Sequence, residues 1–218
     1  MPAPAVAQLN ARPVSGWREI ASNIAEAARE LAARGWTPAT AGNFSARADA
    51  SSAVITVSGR DKGRLTADDF LLVDLQGRVI DGSGAPSAET PLHVQLYRRD
   101  ASIGAVLHTH SPYQTVAGRA LACEGGIRFE GYELLKAFAG VGTHETRVTL
   151  PVFANTQDMQ ELAQRVAGRL ESDEPSFGYL IDGHGIYAWG TDLGDAMRHL
   201  EAFEFLIGCE LELRRLAR

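Results

Sequence analysis

The sequence predicts a single α/β domain, in which a mixed, largely antiparallel sheet carries helices on its faces. Helical and strand-like segments alternate along all 218 residues, without a linker, a repeat or a low-complexity stretch. Several strand-like segments are joined by short turns, which favours antiparallel pairing over a purely parallel sheet. The glycines form no GxGxxG after a strand, so the sequence does not indicate a dinucleotide-binding fold.

Each element is predicted from the spacing of its apolar residues and from its end signals. The first helix carries Trp17 and Leu31 on one face and ends at Gly35, and Thr90-Pro91 is typical of a helix start. In chain order we expect a helix over 17–34, a strand over 53–57, two strands within 70–80, a helix from 90, a strand over 103–110, a helix from 111, a helix over 131–138, a strand over 148–153, a helix capped at 155–156, strands over 177–181 and 186–189, and a helix from 193.

Composition limits the classes of function. A net charge of −6 without a basic block argues against a nucleic-acid surface, and the apolar runs are too short to span a membrane. Residues 1–14 lack the pattern of a signal peptide and are expected to form a flexible tail before a catalytic domain over 15–218. Two cysteines without a CxxC are typical of a reducing compartment, so we expect a cytoplasmic protein.

The segment AVLHTHSP predicts a metal site. Residues i and i+2 of a strand share a face, so His108 and His110 project together beyond a buried strand. Two imidazoles on one face are difficult to explain by packing, because each ring needs a polar partner. The distant His184, between two glycines in a turn, supplies a third ligand. Three histidines and an open position are typical of catalytic zinc, although Fe²⁺, Co²⁺ or Mn²⁺ fits the same ligands.

The other histidines carry less information. His93 and His199 lie on predicted helices, where solvated or core-edge positions are expected. Nothing in the spacing of His144 assigns it to a site.

Three short loops have the composition of anion-binding turns. They are TAGNFS at 40–45, SGRDKG at 58–63 and the Pro86-Ser87 pair. Small residues and glycines let backbone amides point at an anion, although each loop alone is more often an ordinary turn. Together with a metal site, they favour a small anionic substrate.

At this point the chain resembles the class II aldolase/adducin family. The resemblance covers nearly the whole sequence and rests on TAGNFS, SGRDKG, PSAETPLH, AVLHTHSP and DGHGIYAWG. It implies a three-layer α/β/α fold assembled as a homotetramer, with active sites near subunit boundaries. It also implies one Zn²⁺ per subunit at His108, His110 and His184. The implied phosphate contacts are Gly42, Asn43, Ser58, Gly59, Lys62 and Ser87.

Two segments, FEGYELLKAF and NTQD, resemble the dehydratases of this family rather than its sugar-phosphate aldolases. The implied reaction is the zinc-dependent dehydration of 5-methylthioribulose 1-phosphate to 2,3-diketo-5-methylthiopentyl 1-phosphate in methionine salvage. The resemblance makes Glu133 the main acid/base residue, and Glu89, where the aldolases carry their catalytic glutamate, an auxiliary group. Two alternatives stay open at this point: an aldolase or epimerase acting on another sugar phosphate, and a non-catalytic adducin-like interaction domain.

Overall fold

A nine-stranded sheet forms the centre of the part of the chain that the computed structural model describes, residues 16–171 and 175–217. Its strands are β1 (Asn43–Arg47), β2 (Ser52–Thr56), β3 (Phe70–Asp74), β4 (Val79–Asp81), β5 (Ala105–Thr109), β6 (Gly126–Glu130), β7 (Arg147–Phe153), β8 (Gly178–Ile181) and β9 (Gly185–Gly190). Their order is β4-β3-β2-β1-β5-β9-β8-β7-β6, and only β7 and β8 run parallel. The prediction of a mixed, largely antiparallel sheet is therefore confirmed.

Helices cover both faces of the sheet and make three layers. The helices are α1 (Trp17–Ala33), α2 (Thr90–Arg99), α3 (Pro112–Leu121), α4 (Met159–Arg169) and α5 (Leu193–Leu216). Buried residues of α1, α3 and α5 pack in one apolar core, and those of α2 and α4 pack in the core on the other face. The α/β/α arrangement that the resemblance implies is thus confirmed.

The first helix forms as its sequence predicts. Its apolar residues recur every three or four positions, so Ala21, Ile24, Ala28 and Leu31 are all buried against the sheet. No helix within the described ranges is long and apolar enough to cross a membrane. The expected tail, residues 1–14, lies outside the described residues.

The segment around Gly131 differs from its prediction. A helix was expected over 131–138, but a short 3-10 turn forms at Glu133–Ala137 after strand β6, which was not predicted. This strand buries only Ile127 and Phe129, and two apolar positions after a glycine are too few to establish a period.

The starts of two helices also differ from their predictions. Asp158, rather than residues 155–156, caps α4, because its carboxylate accepts a hydrogen bond from the Glu161 amide. At α2 the Thr90 hydroxyl donates to the Ser87 carbonyl oxygen instead of capping the helix. Glu89 takes the position before the helix, and its carboxylate is therefore free to face the sheet.

Strand β5 lies between β1 and β9, and its last residues position the site. Asn43, His108 and Tyr187 are aligned across these three strands, so their side chains project from the same face of the sheet. Strand β1 begins at Asn43, whereas the sequence suggested a loop through Ser45. Helix α2 packs over this face, and the space between helix and sheet holds the polar groups described next.

Candidate metal centre

Three histidines meet at the end of β5. His108 lies in the strand, and His110 follows just beyond it on the same side, as strand alternation predicts. His184 reaches them from the tight turn between β8 and β9. One nitrogen of each ring lies within 4.8 Å of the others, and the ring centroids are 4.5–4.9 Å apart.

The hydrogen bonds of His108 leave it ready to act as a ligand. Its Nδ1 lies 2.8 Å from the carbonyl oxygen of Ile186 and must donate to it, so Nε2 carries the lone pair. This Nε2 lies 2.7 Å from Nε2 of His110. Burial lowers the pKa of His108 to about 4 and that of His110 to about 3, so both rings are neutral near pH 7, as metal ligation requires.

His184 completes an electron-rich cluster. Its Nδ1 is buried and has no hydrogen-bond partner in the described part of the chain, which is costly unless another group satisfies it. The converging ring nitrogens carry lone pairs that repel one another, and a cation between the three rings would remove this repulsion. The turn approaches β5 closely because residue 185 is glycine. A Cβ at this position would lie 2.1 Å from the carbonyl oxygen of Thr109. The three rings therefore fit a divalent metal ion.

Glu89 is the carboxylate in contact with this cluster. Its Oε2 accepts hydrogen bonds from Asn43 Nδ2 at 2.5 Å and from the Tyr187 hydroxyl at 2.9 Å. Oε1 lies 3.1 Å from Nε2 of His184, and Oε2 lies 3.3 Å from Nε2 of His108. Burial raises the pKa of Glu89, but the positive charge of a protonated His108 or His184 ring and the hydrogen bond from the Asn43 amide outweigh burial and hold that pKa well below its usual range. Glu89 is therefore ionised.

A cavity of about 340 Å³ opens beside Glu89 and His110. Its walls are formed by the loop before β1, the turn after β2 and the segment before α2. Its lining includes all six residues that the resemblance implies for phosphate: Gly42, Asn43, Ser58, Gly59, Lys62 and Ser87. The structure thus brings these residues together beside the histidines, and their contact with a phosphate stays a prediction.

Lys62 forms part of the wall of this cavity. Its side chain is 2% exposed, and Nζ donates hydrogen bonds of 2.7 Å to the carbonyl oxygens of Thr40 and Arg60. Burial lowers the pKa of the Lys62 ammonium, although Asp61 and Glu89 counteract this. Two of the three N–H groups are used within the protein, so Lys62 can offer an anion one N–H and its charge.

A second cavity, also about 340 Å³, lies on the side of Glu89 next to His184. The NTQD segment supplies Asn155 and Gln157 to its wall, and Met159 at the start of α4 adds an apolar surface. Glu89 and its neighbour Ala88 line both cavities. A ligand that extends from one cavity to the other therefore passes the histidine cluster.

Glu133 lies in a different environment. Its side chain is 73% exposed, forms an ion pair with Lys136 and lies 3.6 Å from Nδ1 of His144. It lines a broad, largely apolar groove of about 1140 Å³ with Tyr113 and Phe205. Of the two candidate glutamates, the structure brings Glu89 into contact with the histidines, and the catalytic role of each glutamate stays a prediction.

The expectation for His93 and His199 was wrong, because both rings are buried and hydrogen-bonded. His199 is a core residue: Nδ1 donates to the Trp189 oxygen at 2.6 Å, and Nε2 accepts from the Ala139 amide at 3.1 Å. Nε2 of His93 contacts Oδ1 of Asn43, and Nδ2 of Asn43 donates a hydrogen bond to Glu89. The missed signal is the spacing of Glu89 and His93, which lie four residues apart and so share a helix face.

Comparison with known proteins gives a consistent result. A family model described as Class II Aldolase and Adducin N-terminal domain matches residues 22–211. The methylthioribulose-1-phosphate dehydratase of Stenotrophomonas maltophilia (strain R551-3) is 60% identical over 198 residues, which cover 91% of this chain and 92% of that protein. The protein of the same name from Xanthomonas campestris pv. campestris (strain 8004) is also 60% identical, with 91% of each chain covered.

Solved structures share the architecture. An L-fuculose 1-phosphate aldolase superposes with a TM-score of 0.76 at 25% identity, covering 92% of this chain and 88% of its own. The L-fuculose-1-phosphate aldolase from Thermus thermophilus has a TM-score of 0.73 at 26% identity, with 92% and 98% covered. Both match over 92% of this chain, and residues 22–211, which the family model matches, include all three histidines.

Proposed function

This chain belongs to the class II aldolase and adducin family, and from that premise we propose that it is a metal-dependent hydro-lyase that dehydrates 5-methylthioribulose 1-phosphate. The product is 2,3-diketo-5-methylthiopentyl 1-phosphate, an intermediate of methionine salvage. The observation that carries this proposal is the 60% identity, over 91% of the chain, to proteins named methylthioribulose-1-phosphate dehydratase. The histidine cluster and its adjoining carboxylate supply suitable chemistry.

The proposed metal site consists of His108, His110 and His184. Their neutral, converging rings support a divalent cation, and we propose Zn²⁺, one per subunit. When bound, the cation would act as a Lewis acid on the C2 carbonyl of the substrate and so lower the cost of removing the proton from C3. The proposed role of the chain's own residues is to anchor the substrate and to move protons.

The first cavity is the proposed phosphate site. Backbone amides near Gly42 and Gly59 and the hydroxyls of Ser58 and Ser87 can donate hydrogen bonds to phosphate oxygens. Anchoring the phosphate would hold C3 close to Glu89, because Glu89 lines the same cavity. The remainder of the substrate would then extend towards the second cavity, where Met159 offers an apolar contact for the methylthio group.

Glu89 is the proposed base at C3. Its carboxylate is ionised, and Oε1 is the oxygen that accepts no hydrogen bond from Asn43 or Tyr187. Oε1 would take the C3 proton, the C3–C4 double bond would form, and the C4 hydroxyl would leave as water after gaining a proton. The resulting enol tautomerises to the 2,3-diketone. Proton transfer by a positioned group typically contributes about 10²–10⁴-fold to the rate.

Glu133 is proposed as the acid for the departing hydroxyl, on the basis of the family resemblance alone. The groove that it lines also supports the proposed homotetramer. Phe205 is 59% exposed there, Tyr113 is 46% exposed, and an apolar surface of this kind is typical of a protein interface.

A cytoplasmic location is likewise proposed, supported by the unpaired state of Cys123 and Cys209.

The second candidate function is aldol cleavage of another sugar phosphate. It is favoured by the two L-fuculose 1-phosphate aldolases that share the fold. A purely structural role is opposed by the intact histidine cluster, since scaffolding needs no such site. The identity to the dehydratases is more than twice that to the aldolases, and we therefore prefer dehydration.

The deciding experiment is incubation of the metal-loaded protein with 5-methylthioribulose 1-phosphate, followed by ¹H and ³¹P NMR. Dehydration is expected to give one phosphorylated diketone, with loss of the C3 proton signal. Cleavage of the C3–C4 bond, with release of a three-carbon keto phosphate and a methylthio aldehyde, would contradict the proposal and establish an aldolase. Absence of any reaction, in a sample with one metal ion per chain, would also reject it.

A further inference from the structure

Helix α2 lies along strand β1 so that two rows of side chains face each other. Glu89, His93 and Tyr97 recur every four residues on one side of the helix, which corresponds to a rise of about 6 Å per step. Asn43 and Ser45 recur every two residues on one face of the strand, which is about 6.6 Å per step. Because the two steps nearly match, each helix residue can meet its own partner on the strand.

The contacts form a continuous chain. Nε2 of His93 lies 2.5 Å from Oδ1 of Asn43, and Nδ1 of His93 lies 2.7 Å from the Ser45 hydroxyl. The Ser45 hydroxyl lies 2.7 Å from the Tyr97 hydroxyl. At the other end, Asn43 donates to Glu89. His93 and Ser45 are both fully buried, so each polar atom of the chain depends on its partner within the protein.

The direction of every bond follows from the orientation of the Asn43 side chain, whose Nδ2 donates to Glu89 and whose Oδ1 faces Nε2 of His93. A carboxylate only accepts, so the Asn43 NH₂ group must face Glu89 and Oδ1 must face His93. Nε2 of His93 must then carry a proton. Burial lowers the pKa of His93 to about 4, so the ring is neutral and Nδ1 accepts from Ser45. Tyr97 must in turn donate to Ser45.

We propose that His93 is a positioning residue that orients Glu89 through Asn43. With Asn43 and Tyr187 both donating to Oε2, the carboxylate cannot rotate freely, and Oε1 is directed towards the cluster. Without the donor of His93, the Asn43 amide could rotate and turn Oδ1 towards Glu89. Oδ1 and the Glu89 carboxylate are both acceptors and would repel each other. This inference rests on the proposed function in one respect, because the proposed function makes Glu89 the residue that takes the substrate proton.

The first test needs no turnover. Long-range ¹H–¹⁵N correlation spectra of the ¹⁵N-histidine-labelled full chain, loaded with metal at pH 7.5, report the tautomer of each ring. His93→Phe identifies the His93 signals by their loss. The protonated nitrogen of His93 is expected to be Nε2. A ring protonated at Nδ1 would overturn the proposal, whatever the enzyme proves to catalyse.

The second test compares His93→Phe with His93→Gln, whose amide retains a donor. We expect the phenylalanine variant to lower kcat about 10- to 100-fold, because it loses a bond in a charge-assisted chain. KM and metal content are expected to stay within about twofold, and the glutamine variant to recover a substantial part of kcat. Equal loss in both variants, or unchanged kcat in the phenylalanine variant, would reject the positioning role.

Gln95→Leu is the matched control. Gln95 lies on the same helix, is 4% exposed and is not in the row that faces β1. We expect the Gln95→Leu variant to have the same kcat as the wild type. If the His93 variants fail to fold, substitution of each of the other five histidines in turn assigns the remaining ring signals to His93 by elimination, and the tautomer of the wild-type chain still decides the proposal. If no variant and no wild-type sample dehydrates the substrate, the proposed function fails, while the tautomer result stands independently.

Discussion

The imidazole ring of His108 stacks on the phenol ring of Tyr187, with centroids 4.1 Å apart and planes 14° from parallel. The stack sets the orientation of the His108 ring, and the Tyr187 hydroxyl donates to Glu89 at 2.9 Å. One tyrosine therefore contacts a candidate metal ligand through its ring and the candidate base through its hydroxyl. These two contributions can be separated by substitution.

Tyr187→Phe is expected to keep the stack and lose the hydroxyl. Metal affinity should then change by less than about threefold, whereas kcat should fall about tenfold, because a hydrogen bond to a charged group is lost. Tyr187→Leu removes the ring as well and should also weaken metal binding. Calorimetric metal titration and steady-state kinetics of both variants check this. Equal metal affinities in the two variants would show that the stack does not orient His108.

The histidine cluster is expected to hold one divalent ion per chain. Elemental analysis of His110→Ala and His184→Ala should show most of the metal lost, while His144→Ala, whose side chain is 50% exposed, should retain it. Chelation should also lower the Tm of the wild type by about 10 °C, because a tightly bound ion stabilises the folded state by about 4 kcal/mol. A wild-type Tm that does not respond to chelation would contradict the site.

Glu89→Gln and Glu133→Gln separate the two candidate acid/base residues. Both variants should keep their metal, since neither carboxylate is among the three ligands. Glu89→Gln is expected to reduce kcat by about 10²–10⁴-fold, the typical contribution of a general base. Glu133→Gln is also expected to lose most turnover if it protonates the leaving hydroxyl. Near-wild-type activity in one of them would assign the acid/base work to the other.

Gly42 and Gly59 line the same cavity but have different surroundings. Both have positive φ, 84° and 73°, where a side chain costs about 1–2 kcal/mol. A Cβ at Gly42 would lie 2.7 Å from the His108 carbonyl oxygen, whereas one at Gly59 would meet no atom within 4 Å. Gly42→Ala should therefore lower the free energy of unfolding more than Gly59→Ala and also weaken metal binding. Urea denaturation with metal titration tests this, and indistinguishable variants would contradict it.

His93 should make the metal-free protein less stable in acid. Its pKa is about 4 in the folded state, because the ring is buried, against about 6.5 when unfolded. Between these values the unfolded chain binds the proton, so stability falls as pH falls, starting near pH 6.5 and ending near pH 4. From pH 7.5 to 5 this loss is about 2 kcal/mol.

His93→Gln removes that titration and leaves the other histidines unchanged. Urea unfolding at the two pH values should therefore show a decrease about 2 kcal/mol smaller in the variant than in the wild type. The same decrease in both proteins would mean that His93 titrates alike in the folded and unfolded chains.

The sequence predicted the structure best where residues of one chemical type recur at the spacing of a strand or a helix. His108 and His110 share a strand face by alternation alone, and the layered fold follows from apolar periodicity. The partners of Glu89 were not predicted, because Tyr187 reaches it through pairing between strands that are distant in sequence. Strand β6 was missed for a simpler reason, since two buried residues show no period. Local pattern thus predicts elements and ligands, whereas the contacts across the sheet depend on register.

The alignment of Asn43, His108 and Tyr187 across three strands also predicts which changes of length the protein can accept. Adding one residue to the turn at 182–184 would shift β9 by one position and turn Tyr187 towards the opposite layer, even if every original amino acid were kept. The loop at 138–146 supplies no strand to this alignment and can vary in length. In homologues and in engineered variants, we therefore expect insertions and deletions to accumulate in that loop and to be absent from the turn.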